Sequence, residues 1–160
     1  MQAGILTSTS GDTKTYRERI TPELFDRMAC RIAQDESIEL RDAEHIVDGA
    51  IGFLLLCATH PGRQFGPSRK IDTGWHTFIL YTREYTAFCH SIAGEYIHHA
   101  PTDGDAGSLH GVMATSEVMA FMDVRGITYD REMWSNDCAA NEHSSDCTAC
   151  TGCFRCSPPD

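Results

Sequence analysis

Five of the eight cysteines in this chain fall within its last 23 residues, and four of them recur at strict intervals of three. These four are Cys147, Cys150, Cys153 and Cys156, in the closing segment DCTACTGCFRCSPPD. Thiolates are strong ligands of zinc, copper(I) and iron–sulfur clusters. The spacing therefore predicts that the carboxyl end of the chain binds a soft metal ion, with zinc or copper(I) as the first choice.

Two ligand sets are open for such a site. Four cysteines at steps of three would spread around half of a helix, since each step drifts by ~60°, so a single ion requires a looped course instead. In a loop, all four sulfurs can wrap one tetrahedral ion at ~2.3 Å each. Alternatively, Cys138 and His143 close a site with Cys147 and Cys150, and the last two cysteines pair separately or join a multinuclear cluster.

An iron–sulfur cluster fits the tail less well. The bacterial ferredoxin pattern places its fourth cysteine after three intervening residues and follows it with proline. Here only two residues intervene before Cys156, and Ser157 follows it.

The tail also resembles the modifiable end of a peptide precursor. It mixes cysteines with hydroxyl side chains behind a helical leader. An alternative explanation of this composition is that partner enzymes modify these residues. In that interpretation the helical domain docks a modifying enzyme. The hydroxyl residues are Ser135, Ser144, Ser145, Thr148, Thr151 and Ser157.

A second, weaker candidate metal site lies in the middle of the chain. Asp72 and His76 stand four residues apart on a predicted helix, so the carboxylate can orient the imidazole. His98 and His99 follow after a turn and are expected to fold back toward the loop that holds His60. Such a group suits zinc or iron, with the carboxylate as a supporting partner of the histidines. An enzyme or redox protein based on this site is the remaining alternative, and no catalytic residue is assigned.

The segment PSRKIDTGWHTFILYTREYTAFCHSIAGEYIHHAP, residues 67–101, resembles small actinobacterial proteins similar to the glycine-rich domain-containing protein-like family. The resemblance implies a helical fold and no particular chemistry. The related family tends to show Trp-His-x-His, and Phe78 stands at the second histidine position here. The resembling residues are Ile71, Asp72, Trp75, His76, Tyr81, Tyr85, Phe88, Cys89, His98, His99 and Pro101.

The bulk composition narrows the range of partners. A formal charge of −10 repels phosphates, so nucleic acid and anionic membranes are not expected to bind. The longest apolar run, residues 50–58, is far shorter than the ~20 residues that span a bilayer. The N-terminus shows no secretory pattern, so we expect a cytoplasmic protein with reduced thiols. The three cysteines outside the tail, Cys30, Cys57 and Cys89, are then expected to be small buried residues.

Hydrophobic periodicity predicts an all-α fold, a bundle of about four helices with an irregular Cys-rich tail. Apolar residues recur at helical spacing in four segments, and nothing alternates well enough to predict a strand. The predicted helices span about 22–36, 43–58, 72–93 and 116–125, with a last helical turn near Trp134. We therefore divide the chain into a mobile arm (1–15), a helical domain (16–134) and the tail (135–160).

Overall fold

The computed structural model describes residues 16–99 and 112–135. The predicted N-terminal arm lies outside these ranges, and so does the tail beyond Ser135. In the described parts the protein is mostly helical, as predicted. A 3-10 turn (Tyr16–Arg19) precedes six α-helices, which are α1 (Pro22–Glu36), α2 (Leu40–Thr59), α3 (Arg69–Leu80), α4 (Thr82–Ala93), α5 (Thr115–Arg125) and α6 (Arg131–Trp134).

The first two helices begin for different reasons. Thr21 caps α1, since its side chain accepts a hydrogen bond from the amide of Leu24, and Pro22 occupies the first turn. Asp42, an Asp that the sequence offers as a cap for α2, lies inside the first turn of that helix instead. The helix begins three residues after α1's left-handed terminator Ser37, with Glu39 as an N-cap that makes no side-chain capping bond.

The helix predicted over residues 72–93 is two helices, which is one reason why the described residues form six helices rather than about four. Tyr81 adopts φ −88° and ψ 63° and separates α3 from α4. The break turns α4 so that its aromatic face meets that of α3. The Phe78 ring lies 5.2 Å from the rings of both Tyr85 and Phe88, measured between centroids. Burial of three aromatic rings at one point therefore favours the bend over a continuous helix.

Two very short strands were not predicted. Gln64–Phe65 (β1) pairs in parallel with Val112–Met113 (β2), so that Gln64 lies opposite Val112. Two residues are too few to show an alternating pattern. The pairing ties the link between α2 and α3 to the start of α5.

Helix α2 lies at the centre of the domain, packed between α1 and α3. Its contact with α3 is close because residue 74 is glycine. A Cβ atom at Gly74 would lie 2.8 Å from both the Ala50 Cβ and the Ile46 carbonyl oxygen. This contact fixes the position of α3 against the core.

The three cysteines of the helical domain differ in burial. Cys89 is fully buried and Cys57 is partly buried, but Cys30 is exposed on α1, so the prediction that all three are buried is wrong for Cys30. Among the described residues, no helix combines the length and the apolar character needed to cross a membrane.

Candidate metal centre

The first turns of α3 present Asp72 and His76 on one side of the helix. Ser68 caps α3 by accepting from the amide of Ile71, and its hydroxyl donates to the carbonyl of Met133 in α6. This buried anchor fixes the helix start one turn before Asp72. The Asp72 Oδ2 lies 3.5 Å from the His76 Nδ1, as the spacing of four residues predicts.

His99 joins this pair from outside the helices. Gly94 ends α4 in the left-handed conformation, at φ 76°, and the chain then returns toward α3. The His99 Nε2 lies 2.9 Å from the Asp72 Oδ1. Its ring centroid lies 4.3 Å from that of His76 and 4.4 Å from that of Trp75. One carboxylate thus lies between two imidazoles.

The three side chains of the cluster differ in their exposure to solvent. The side chain of His99 is 14% exposed, that of Asp72 is 35% exposed and that of His76 is 57% exposed. His99 therefore forms the inner wall and His76 the outer one. An ion held between them would keep access to water.

The donor atoms already lie near the spacing that a metal ion needs. One ligand atom from each of Asp72, His76 and His99 can be chosen so that all three lie within 4.8 Å of one another. Bonds of ~2.0–2.1 Å in a tetrahedral zinc site place neighbouring donors ~3.3 Å apart. The His99 Nε2 lies 2.9 Å from the Asp72 Oδ1, and the His76 Nδ1 lies 3.5 Å from the other carboxylate oxygen, Oδ2. Closing a tetrahedral site on these three residues would therefore bring donor atoms that lie within 4.8 Å of one another to ~3.3 Å.

The hydrogen bond between Asp72 and His99 determines which residues of the cluster are available to bind a metal ion. An ionised carboxylate only accepts, so the proton in this bond belongs to the His99 Nε2. A metal ion would be held either by all three residues or by His76 and His99, with Asp72 orienting the two rings. Both arrangements are known designs for histidine-based sites.

A chain of two hydrogen bonds, one buried and one partly buried, lies behind His99. The Trp75 Nε1 donates to the Tyr85 hydroxyl over 2.8 Å, and that hydroxyl donates to the carbonyl of Ile97 over 2.7 Å. Burial holds the pKa of Tyr85 well above its ordinary value, so the hydroxyl keeps the proton that it donates. In the sequence, Trp75 and Tyr85 stood out only among the residues that carry the family resemblance.

Comparison with family models finds one match for the region that carries this cluster. The model of the UCP032817-like family matches residues 14–107, which is more than half of the chain and includes all three donor residues. The chain belongs to the UCP032817-like family. No curated protein and no solved structure gives a significant match. The matched range includes α1 to α4 and the segment that carries His99, whereas α5, α6 and the Cys-rich tail lie beyond it.

The other two histidines of the predicted site lie elsewhere in this UCP032817-like protein. His98 is exposed and its ring packs on Tyr96 at 4.8 Å, so it is not in the cluster. His60 ends α2, where its Nδ1 lies 3.0 Å from the Leu56 carbonyl oxygen and its ring meets Phe121 edge-on at 5.1 Å. Among the described residues, Asp72, His76 and His99 form the one group of three metal-binding side chains at this spacing.

The predicted tail ligands lie outside the described residues. They are Cys138, His143, Cys147, Cys150, Cys153 and Cys156. Metal binding by these side chains therefore stays a prediction from sequence.

Proposed function

We propose that this protein binds a divalent transition-metal ion through Asp72, His76 and His99. The observation that carries the proposal is the convergence of two imidazoles and one carboxylate within 4.8 Å. Imidazole and carboxylate suit zinc and iron(II), whereas copper(I) prefers sulfur ligands. We therefore assign zinc or iron(II) to this centre.

A site of this kind keeps a coordination position for water or a further ligand. Structural zinc sites are usually closed by four protein donors, whereas three donors leave one position open. The exposure of His76 leaves room for that fourth ligand. An ion here would lower the pKa of its bound water and act as a Lewis acid. The centre thus suits a metal-dependent reaction or the reversible carriage of an ion.

Titration with cobalt(II) and zinc tests the proposal. The full-length chain is used with the five tail cysteines changed to serine, which removes competing thiolates without shortening the protein. Cobalt(II) at the centre gives visible absorption bands, and zinc added afterwards displaces it. We expect one equivalent to bind and His99→Gln or Asp72→Asn to weaken binding about 10- to 100-fold or more.

His98→Gln is the matched control because it removes the neighbouring imidazole, which packs on Tyr96 instead. This variant is expected to bind as tightly as the parent. Equal losses for His98→Gln and His99→Gln, or no uptake by the parent protein, would contradict the assignment.

The Cys-rich tail is proposed as a separate thiolate site for zinc or copper(I). Its support is the triple Cys-x-x-Cys spacing. Metal analysis of the anaerobically purified wild-type chain, beside the tail-serine variant, measures its share of the metal. Intact mass of protein from the native host tests the alternative of a modified peptide precursor, which requires cleavage or a mass change in the tail. We also propose that the helical domain is related to the glycine-rich domain-containing proteins, because it carries the Trp-His pair at Trp75 and His76.

A further inference from the structure

We propose that Tyr85 is a positioning residue of the metal centre, because its hydroxyl holds the segment that carries His99 through a hydrogen bond to Ile97. We call this contact the clamp. The inference rests on the proposed function for its effect on metal affinity. Its effect on the position of His99 stands without a metal ion. The two parts are therefore separable by experiment.

His99 is the one donor of the three that no helix holds. Asp72 and His76 share α3, whose start is anchored by Ser68 and whose contact with α2 is fixed at Gly74. His99 lies five residues after Gly94, in a segment outside the helices and strands. The geometry of the centre therefore depends on what holds residues 95–99 against α3.

The Tyr85 hydroxyl makes that connection. It donates to the carbonyl of Ile97, two residues before His99, over 2.7 Å. Its ring is fully buried in α4 and meets the Tyr96 ring edge-on at 5.2 Å. One residue thus contacts two neighbouring positions of the segment from a fixed point in the core.

The direction of the hydrogen bonds makes the clamp specific to a hydroxyl. The indole Nε1 of Trp75 only donates, so it occupies the Tyr85 oxygen as acceptor. The hydroxyl proton is then directed to the Ile97 carbonyl. Because Trp75 also touches the His99 ring, at 4.4 Å between centroids, the same chain supports the imidazole from two sides. Phenylalanine at position 85 would keep the ring and lose both bonds.

The first test needs no metal. The Trp75 ring at this distance displaces the His99 ring resonances from their random-coil positions in an NMR spectrum. We expect Tyr85→Phe to move these resonances toward random coil, with those of His60 unchanged. Tyr129→Phe, which removes a hydroxyl bonded to Asp123, is the matched control and is expected to leave His99 unchanged.

The second test measures affinity for cobalt(II) and zinc in the tail-serine protein. Tyr85→Phe is expected to weaken binding about tenfold, at the lower end of the range for supporting residues of a metal site. In a His99→Gln background the same substitution should have no further effect, because a positioning residue acts only through the donor that it positions. Ile32→Val, a core truncation in α1, controls for a general loss of stability.

The outcomes separate the two proposals. Wild-type protein that takes up no metal, together with displaced His99 resonances in Tyr85→Phe, refutes the metal function and supports the clamp. His99 resonances unchanged in Tyr85→Phe overturn the clamp, whatever the metal affinity. A wild-type spectrum in which the Tyr85 hydroxyl proton exchanges as fast as that of an exposed tyrosine also overturns it, and that measurement needs no variant.

Discussion

Replacement of Gly74 by alanine tests whether the contact between α2 and α3 fixes the helix that carries Asp72 and His76. Alanine normally stabilises a helix interior relative to glycine by about 1 kcal/mol. Here the added Cβ would lie 2.8 Å from the Ile46 carbonyl oxygen and 2.8 Å from the Ala50 Cβ. The first of these atoms belongs to the backbone of α2 and cannot rotate away, so the two helices must separate.

The expected magnitude follows from these opposing effects. Overpacking a core typically destabilises by about 1–3 kcal/mol, and a backbone obstacle favours the upper end. With the helix preference of alanine subtracted, we expect Gly74→Ala to lower the free energy of unfolding by about 2 kcal/mol. For a folded unit of roughly 100 residues this corresponds to a fall in Tm on the order of 10 °C.

Thermal unfolding followed by circular dichroism measures the change, and Gly49→Ala provides the control. Gly49 lies on α2, but a Cβ there would meet its nearest neighbour, Ile71 Cγ1, at 3.4 Å, which is close to ordinary contact. We expect Gly49→Ala to keep or raise the Tm. A Gly74→Ala protein as stable as the parent, with unchanged cobalt(II) affinity, would refute the argument that this contact fixes α3.

Two further predictions concern buried polar groups. Ser68→Ala removes the cap of α3 and leaves the Met133 carbonyl unpaired. We therefore expect the free energy of unfolding, measured with urea, to fall by about 2–3 kcal/mol. A fall no larger than that for an exposed Ser→Ala change would contradict this prediction. Burial raises the pKa of Cys57 from 9.0 to about 12, so native protein should be alkylated at Cys30 and not at Cys57 at pH 8. Rapid labelling of Cys57 at pH 8 would refute the burial argument. Because the thiol ionises at lower pH in the unfolded chain than in the folded one, Cys57 contributes to stability below pH 9, and this contribution is lost as the pH rises toward 12.

The sequence predicted those helices whose ends carry strong local signals. Thr21 and Pro22 begin α1, and Gly94 and Gly126 end α4 and α5, because capping and left-handed glycine act within a few residues. The break at Tyr81 was missed since no glycine or proline marks it. It arises from the packing of Phe78 on Tyr85 and Phe88, which is a tertiary effect.

The candidate site shows the same division between local and distant information. The spacing of four between Asp72 and His76 follows from helix geometry and was predicted. The choice of His99 over His98 was open, because adjacent residues in an irregular segment point in directions that only the folded chain determines. Tyr85 stood out only among the residues of the family resemblance, and its hydrogen bonds were not predicted because they depend on the bend between α3 and α4.

The irregular segment that carries His99 has a consequence for the rates of the proposed site. The backbone of a helical donor is displaced only when the helix itself comes apart, whereas the backbone of a donor on a loop is displaced by a local fluctuation of far smaller free energy. An ion held by Asp72, His76 and His99 would therefore exchange through opening of residues 95–99, with α3 and α4 intact. The lifetime of the bound ion would then be set by one short stretch of chain and would be independent of how stable the whole domain is.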